Sequence, residues 1–102
     1  MIHVIATIEI VDGKRSDYLA AFHELVPLVL AEEGCIEYGP AIDVATPISI
    51  QEPLQGNRVT VIEKWDSIEA LQAHLQAKHM QVNREKVKDM LVGIKIQILK
   101  PA

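Results

Sequence analysis

The stretch EKWDSIEALQAHLQAKHM, Glu63 to Met80, brings the only tryptophan of the chain, Trp65, close to two of its four histidines, His74 and His79, and opens on an acid, Glu63. Histidine titrates near neutral pH, so two of them suggest proton transfer or metal binding. Tryptophan offers a broad apolar wall and one N–H donor, which suits an aromatic ligand. Three readings compete: a metal site, a ligand pocket, and a plain strand-to-helix junction. The spacing argues against metal. His74 and His79 are five residues apart, which on a continuous helix separates them by about 140°, whereas a metal-binding pair prefers i and i+4 on one face. No metal is expected.

Trp65 alternates with Val59, Val61 and Glu63 on one strand face. It is either a core residue or one wall of an aromatic pocket whose indole N–H donates to a substrate oxygen. A carboxylate on that face must be paired or line the pocket, because burying an unpaired charge is costly. His74 falls roughly 60° off the apolar stripe marked by Leu71. That places it at the rim of a helix–sheet cleft, or on the helix surface bonded to a carbonyl or water. His79 opens the next helix beside a neighbouring cap. Arg84 lies inside the stripe of Met80, Val87 and Leu91, where a cation needs a reason. It bridges to Glu63 or Glu37, or it stabilises an oxyanion. His23, on the polar side of a helix, and His3, on a strand, are not candidates.

These residues need elements to hold them. Residues 2–11 alternate as a strand, with Ile2, Val4, Ala6, Ile8 and Ile10 on one face. A helical stripe of Tyr18, Phe22, Leu25 and Val29 follows from about Lys14 to a stop at Gly34, with Pro27 expected to kink it. CIEYGPAIDV and RVTVIEKW read as strands two and three, and ATPISIQEPLQGN between them as an arm or loop. Asp66 and Glu69 have capping-box spacing for a second helix that turns Ile68, Leu71 and Leu75 inward. A third helix runs from near His79 to Gly93, and IKIQIL is strand four. The order is β-α-β-β-α-β with the second helix split, the ferredoxin-like α+β arrangement with a four-stranded antiparallel sheet. Strands one and three carry apolar residues on both faces, so a partner sheet is expected to cover the face away from the helices.

Composition narrows the classes. A chain of 102 residues, nearly half of them apolar, makes one domain spanning 1–102. A net charge of −4 and no basic run disfavour nucleic acid. No segment approaches the roughly 20 apolar residues of a membrane span and no signal peptide is evident, so a cytoplasmic protein is expected. The single Cys35 cannot form an internal disulfide.

EEGCIEYGP after the first helix, together with VIEKWDSIEALQAHLQAKHM and a short terminal strand, resembles the antibiotic biosynthesis monooxygenase family, in particular its quinol monooxygenase-like members within the dimeric α+β barrel superfamily. The resemblance covers nearly the whole chain. It implies a homodimer whose sheets pack into a barrel, a pocket between sheet and helices, and oxidation of a quinol or polycyclic phenol by molecular oxygen with no metal, flavin or other cofactor. Some relatives carry an arginine in the third helix and a tyrosine in the second, where this chain has Leu71. On that reading His74 transfers protons, Arg84 stabilises charge, Trp65 positions the substrate, and His79 and Glu63 support the pocket. The alternative within the superfamily is a small-ligand-binding or stress-response protein without turnover.

Overall fold

The computed structural model describes residues 1–102. Alternation turns Val4, Ala6, Ile8 and Ile10 of β1 (Ile2–Ile10) inward, and all four are buried. β3 (Arg58–Trp65) does the same with Val59, Val61, Glu63 and Trp65. The two strands pair antiparallel, with Val4 opposite Glu63 and Ala6 opposite Val61. β2 (Cys35–Ala41) joins the far side of β3, and β4 (Leu91–Leu99) the far side of β1, so the sheet order is β2-β3-β1-β4. One helix, α1 (Arg15–Leu30), links β1 to β2; two, α2 (Ile68–Gln76) and α3 (Lys78–Val87), link β3 to β4. This is the ferredoxin-like arrangement with a split second helix.

α1 buries Tyr18, Ala21, Phe22, Leu25 and Val29 and runs through Pro27 without interruption. It stops at Leu30, earlier than the expected Gly34. Residues 31–34 instead form a turn in which the Glu32 N–H donates to the Val29 carbonyl. Gly34 adopts φ +82°, and a Cβ there would lie 2.7 Å from the Ala70 Cβ. Only glycine meets both conditions. The Gly34 carbonyl accepts from the Asp66 N–H at 2.8 Å, which ties the turn to the start of α2 and carries Glu32 toward that helix.

The cap of α2 is Ser67, one residue beyond the expected Asp66. Its hydroxyl accepts from the Ala70 N–H at 3.1 Å, while the Asp66 backbone is already engaged by Gly34. The buried face of α2 is Leu71 and His74; Ile68 and Leu75, expected inward, are 42% and 37% exposed. A nine-residue helix lays only one narrow stripe on the core, and His74 takes part of it because its polar atom is satisfied there. α3 also ends before the expected Gly93. A short 3₁₀ turn, Lys88–Met90, follows Val87, and Leu91 is already paired with Ile10 beside a bulge at Glu9 and Ile10. Between α2 and α3, Ala77 is extended at ψ 143°, which resets the helical phase.

Residues 42–57 form an irregular arm anchored at its base. The Asp43 carboxylate accepts from the Gln55 N–H at 2.8 Å and from the Arg58 guanidinium at 2.9 Å, leaving Val44, Ile48 and Ile50 exposed. No helix is long and apolar enough to cross a membrane.

Candidate active site

The sheet and helices enclose a cavity of about 160 Å³. α1 contributes Tyr18 and Phe22 to its wall, β2 Tyr38, β3 Glu63, α2 His74 and α3 Arg84. The β4 side chains Ile94 and Ile96 complete it. They share a face with the buried Ile8 and Ala6 yet remain 59% and 49% exposed, so the helices leave the cavity open along β4.

Aromatic rings form a continuous column that runs along this wall and into the core behind it. Phe22 stacks on Tyr38 at 5.4 Å and 8°, Tyr18 lies 6.1 Å from Phe22, Tyr38 meets His74 edge-on at 5.4 Å, and Trp65 packs on His74 at 4.6 Å. Neither tyrosine hydroxyl makes a hydrogen bond within the chain, although both side chains are over nine-tenths buried. Burial pushes the Tyr18 phenol up to about 12. Tyr38 is raised further, by burial first and by the negative charge of Glu63 second. At neutral pH both are therefore protonated donors without an acceptor. Sequence patterning read Tyr18 as a core position only; its unpartnered hydroxyl is visible only once the cavity is formed.

Trp65 is fully buried, and its indole N–H donates to Glu63 Oε1 at 2.9 Å. The buried carboxylate is thus met by a neutral donor two residues along the same strand face, and the expected bridge to Arg84 does not form. Desolvation raises the Glu63 carboxyl above its ordinary value; the Trp65 hydrogen bond and the nearby His74 pull it back, and the Glu32 charge pushes it up again. Glu37 pairs instead with Lys64 at 3.1 Å.

His74 lies at neither a cleft rim nor a helix surface, as it is 1% exposed. Its Nδ1 is 2.9 Å from Glu32 Oε2, and His79 Nε2 reaches the same oxygen at 2.7 Å. The bend at Ala77 brings together two rings that a continuous helix would hold on different sides. His79 sits at the N-terminus of α3, as expected, but its partner is this carboxylate rather than a cap. Glu32 escaped the sequence reading, because an acid in a helix-terminal EEG looks like a solvated end. The available signal was the need of a buried histidine for a polar partner. Arg84 is exposed along the edge of α3, and its Nη2 donates to the Leu75 carbonyl at 2.5 Å while the side chain still borders the cavity. No cluster of three or more histidine, cysteine or acidic side chains has a geometry suited to a metal ion.

Chemically, the cavity is lined by apolar and aromatic side chains together with an imidazole, a buried carboxyl and two phenols. The sequence profile described as antibiotic biosynthesis monooxygenase matches residues 1–86. The chain belongs to the antibiotic biosynthesis monooxygenase family. It is 41% identical to "Probable quinol monooxygenase YgiN" of Escherichia coli K12, over 99% of this chain and 98% of that protein. Its backbone is similar to solved structures of proteins from Pseudomonas aeruginosa (TM-score 0.82, 24% identity, 99% and 93% of the two chains) and Mycobacterium tuberculosis (TM-score 0.81, 22% identity, 99% and 94%). These structural likenesses show the fold alone.

Proposed function

We propose that the protein is a cofactor-independent monooxygenase that oxidises a quinol or related phenol with molecular oxygen. The observation that carries this reading is the cavity itself, where aromatic walls surround His74, Glu63 and two unpartnered tyrosine hydroxyls. The quinol class is suggested by the name of the relative that is 41% identical. His74 takes a proton from a ring hydroxyl, leaving an electron-rich anion that reduces oxygen directly, so that neither flavin nor metal has to supply electrons. Arg84 and the tyrosine donors stabilise the developing oxyanion. Trp65 does not itself line the cavity; it lies behind the wall, where it holds Glu63 and backs the His74 ring, while His79 supports the site through Glu32. One oxygen atom ends on the ring, the other leaves as water, and the quinol supplies the electrons for both.

A cavity of about 160 Å³ is close to the roughly 150 Å³ that encloses one benzene ring. The reacting ring therefore sits inside, and further rings of a polycyclic substrate extend through the opening along β4. Oxygen uptake with a single-ring benzoquinol and a two-ring naphthoquinol, corrected for autoxidation, tests the reading. Turnover of at least one is expected. Binding of both without uptake would favour the non-catalytic alternative.

Ile62 and Leu99, both exposed on the sheet face away from the helices, also support a homodimer in which a second sheet covers that face to form a barrel. A folded, stable monomer in sedimentation at micromolar concentration would contradict it.

A further inference from the structure

We propose that Glu32 is a positioning residue for the cavity base: its carboxylate fixes the tautomer of His74, leaving Nε2 as the free basic nitrogen, and balances the charge of the imidazolium formed on proton transfer. The inference rests on the reading of His74 as that base.

A carboxylate oxygen only accepts hydrogen bonds. His74 approaches Glu32 Oε2 through Nδ1 and His79 approaches it through Nε2, at 2.9 and 2.7 Å. Each facing nitrogen therefore carries the hydrogen. A neutral imidazole has only one N–H, so Nε2 of His74 keeps its lone pair and is the nitrogen left for a group in the cavity that His74 lines. The opposite tautomer would present an N–H at that position and could not take a proton.

Burial makes the second role necessary. The His74 side chain is 2% exposed, so a cation formed there is nearly cut off from solvent and needs an adjacent opposite charge. Glu32, at 14% exposure, supplies it from the turn after α1. The second bond, from His79 at the start of α3, restrains the carboxylate, so three separate elements hold one oxygen in place. The arrangement follows the logic by which a buried carboxylate orients a catalytic histidine without itself taking the proton.

Nitrogen-resolved NMR of the unmodified protein tests the first role without any activity measurement. With His74 neutral, its protonated nitrogen is expected to be Nδ1; finding Nε2 protonated would overturn the proposal. Two variants test the consequence. Glu32→Leu removes both acceptor and charge, and kcat for quinol-dependent oxygen uptake should fall by roughly 10²-fold or more, up to the 10⁴ limit of losing the base itself, with KM little changed. Glu32→Gln keeps the size of the side chain, but its amide can donate as well as accept, so it no longer imposes the Nδ1–H form, and kcat should fall on the order of 10⁴, the scale of the carboxylate-to-amide change beside a catalytic histidine. A Glu32→Leu protein that melts earlier but keeps its kcat per folded molecule would show that Glu32 is merely structural. If the unmodified protein consumes no oxygen with any quinol, the functional reading fails, and the NMR result still decides what Glu32 does to His74.

Discussion

Replacing Arg84 with Met separates structural from chemical roles at the cavity edge. The sequence allowed a buried bridge to Glu63 or Glu37, whose loss would strand a carboxylate and cost roughly 3–5 kcal/mol. The structure gives both acids other partners, Trp65 and Lys64, and leaves the guanidinium exposed with one bond to the Leu75 carbonyl. Leu75 is in the last turn of α2, where carbonyls lack helical partners, so that bond serves as a C-terminal cap. Its loss is worth about 1 kcal/mol, with a few tenths more for the favourable helix dipole. For a domain of this size, 1 kcal/mol moves the melting temperature by about 4–8 °C. Methionine keeps the unbranched stem and good helix propensity, so little else changes. Oxygen uptake should fall by roughly 10²–10³, the scale of one lost oxyanion donor. Thermal melts and initial rates per folded molecule check both numbers. A loss above about 3 kcal/mol with activity intact would refute the reasoning, because it would require a buried partner for Arg84.

Glu63→Gln should abolish a pH dependence of stability. Burial raises the Glu63 carboxyl above its ordinary value of 4.5, so between 4.5 and the raised value the folded state retains a proton that the unfolded state has lost, and stability falls as pH rises through that window. The amide keeps an acceptor for Trp65 without the charge, so the variant should gain on the parent as pH rises through the window and hold that gain at neutral pH; parallel melting curves at every pH would contradict this. Gly34→Ala should lower stability by about 2 kcal/mol or more through its left-handed backbone and the crowding against Ala70, as read by denaturant unfolding. Exhaustive chelation should leave the melting temperature unchanged, since His74 and His79 direct their facing nitrogens at Glu32. A drop restored by zinc, iron or copper would reverse that expectation.

Strand alternation made most of the fold legible, and it also placed Trp65 and Glu63 on the helix-facing side, because a period of two survives small errors in element boundaries. The helical residues were less secure. His74 and Leu75 exchanged places between buried and exposed because they flank Leu71, about 60° and 40° to either side of it, so a small rotation of a short helix decides which of them is covered. The angle between His74 and His79 could not be counted across Ala77, whose extended backbone breaks the repeat. Tyr18 was legible as apolar bulk but not as a donor, and Tyr38 only as part of a strand, since a hydroxyl is unpartnered only relative to everything around it. Glu32 depended on the early end of α1 at Leu30, which freed it from the helix to meet two residues more than forty positions away.

The central claim is that His74 is the base of an oxygen-consuming reaction inside this cavity. The most direct measurement compares initial rates of quinol-dependent oxygen uptake, with autoxidation subtracted, for the parent protein and His74→Phe at equal concentrations of folded protein. Phenylalanine keeps a ring against Trp65 and Tyr38 but has no nitrogen to accept a proton. The account predicts measurable uptake by the parent and a fall of roughly 10²–10⁴ in the variant, the range for losing a positioned general base. Equal rates in the two proteins would contradict it.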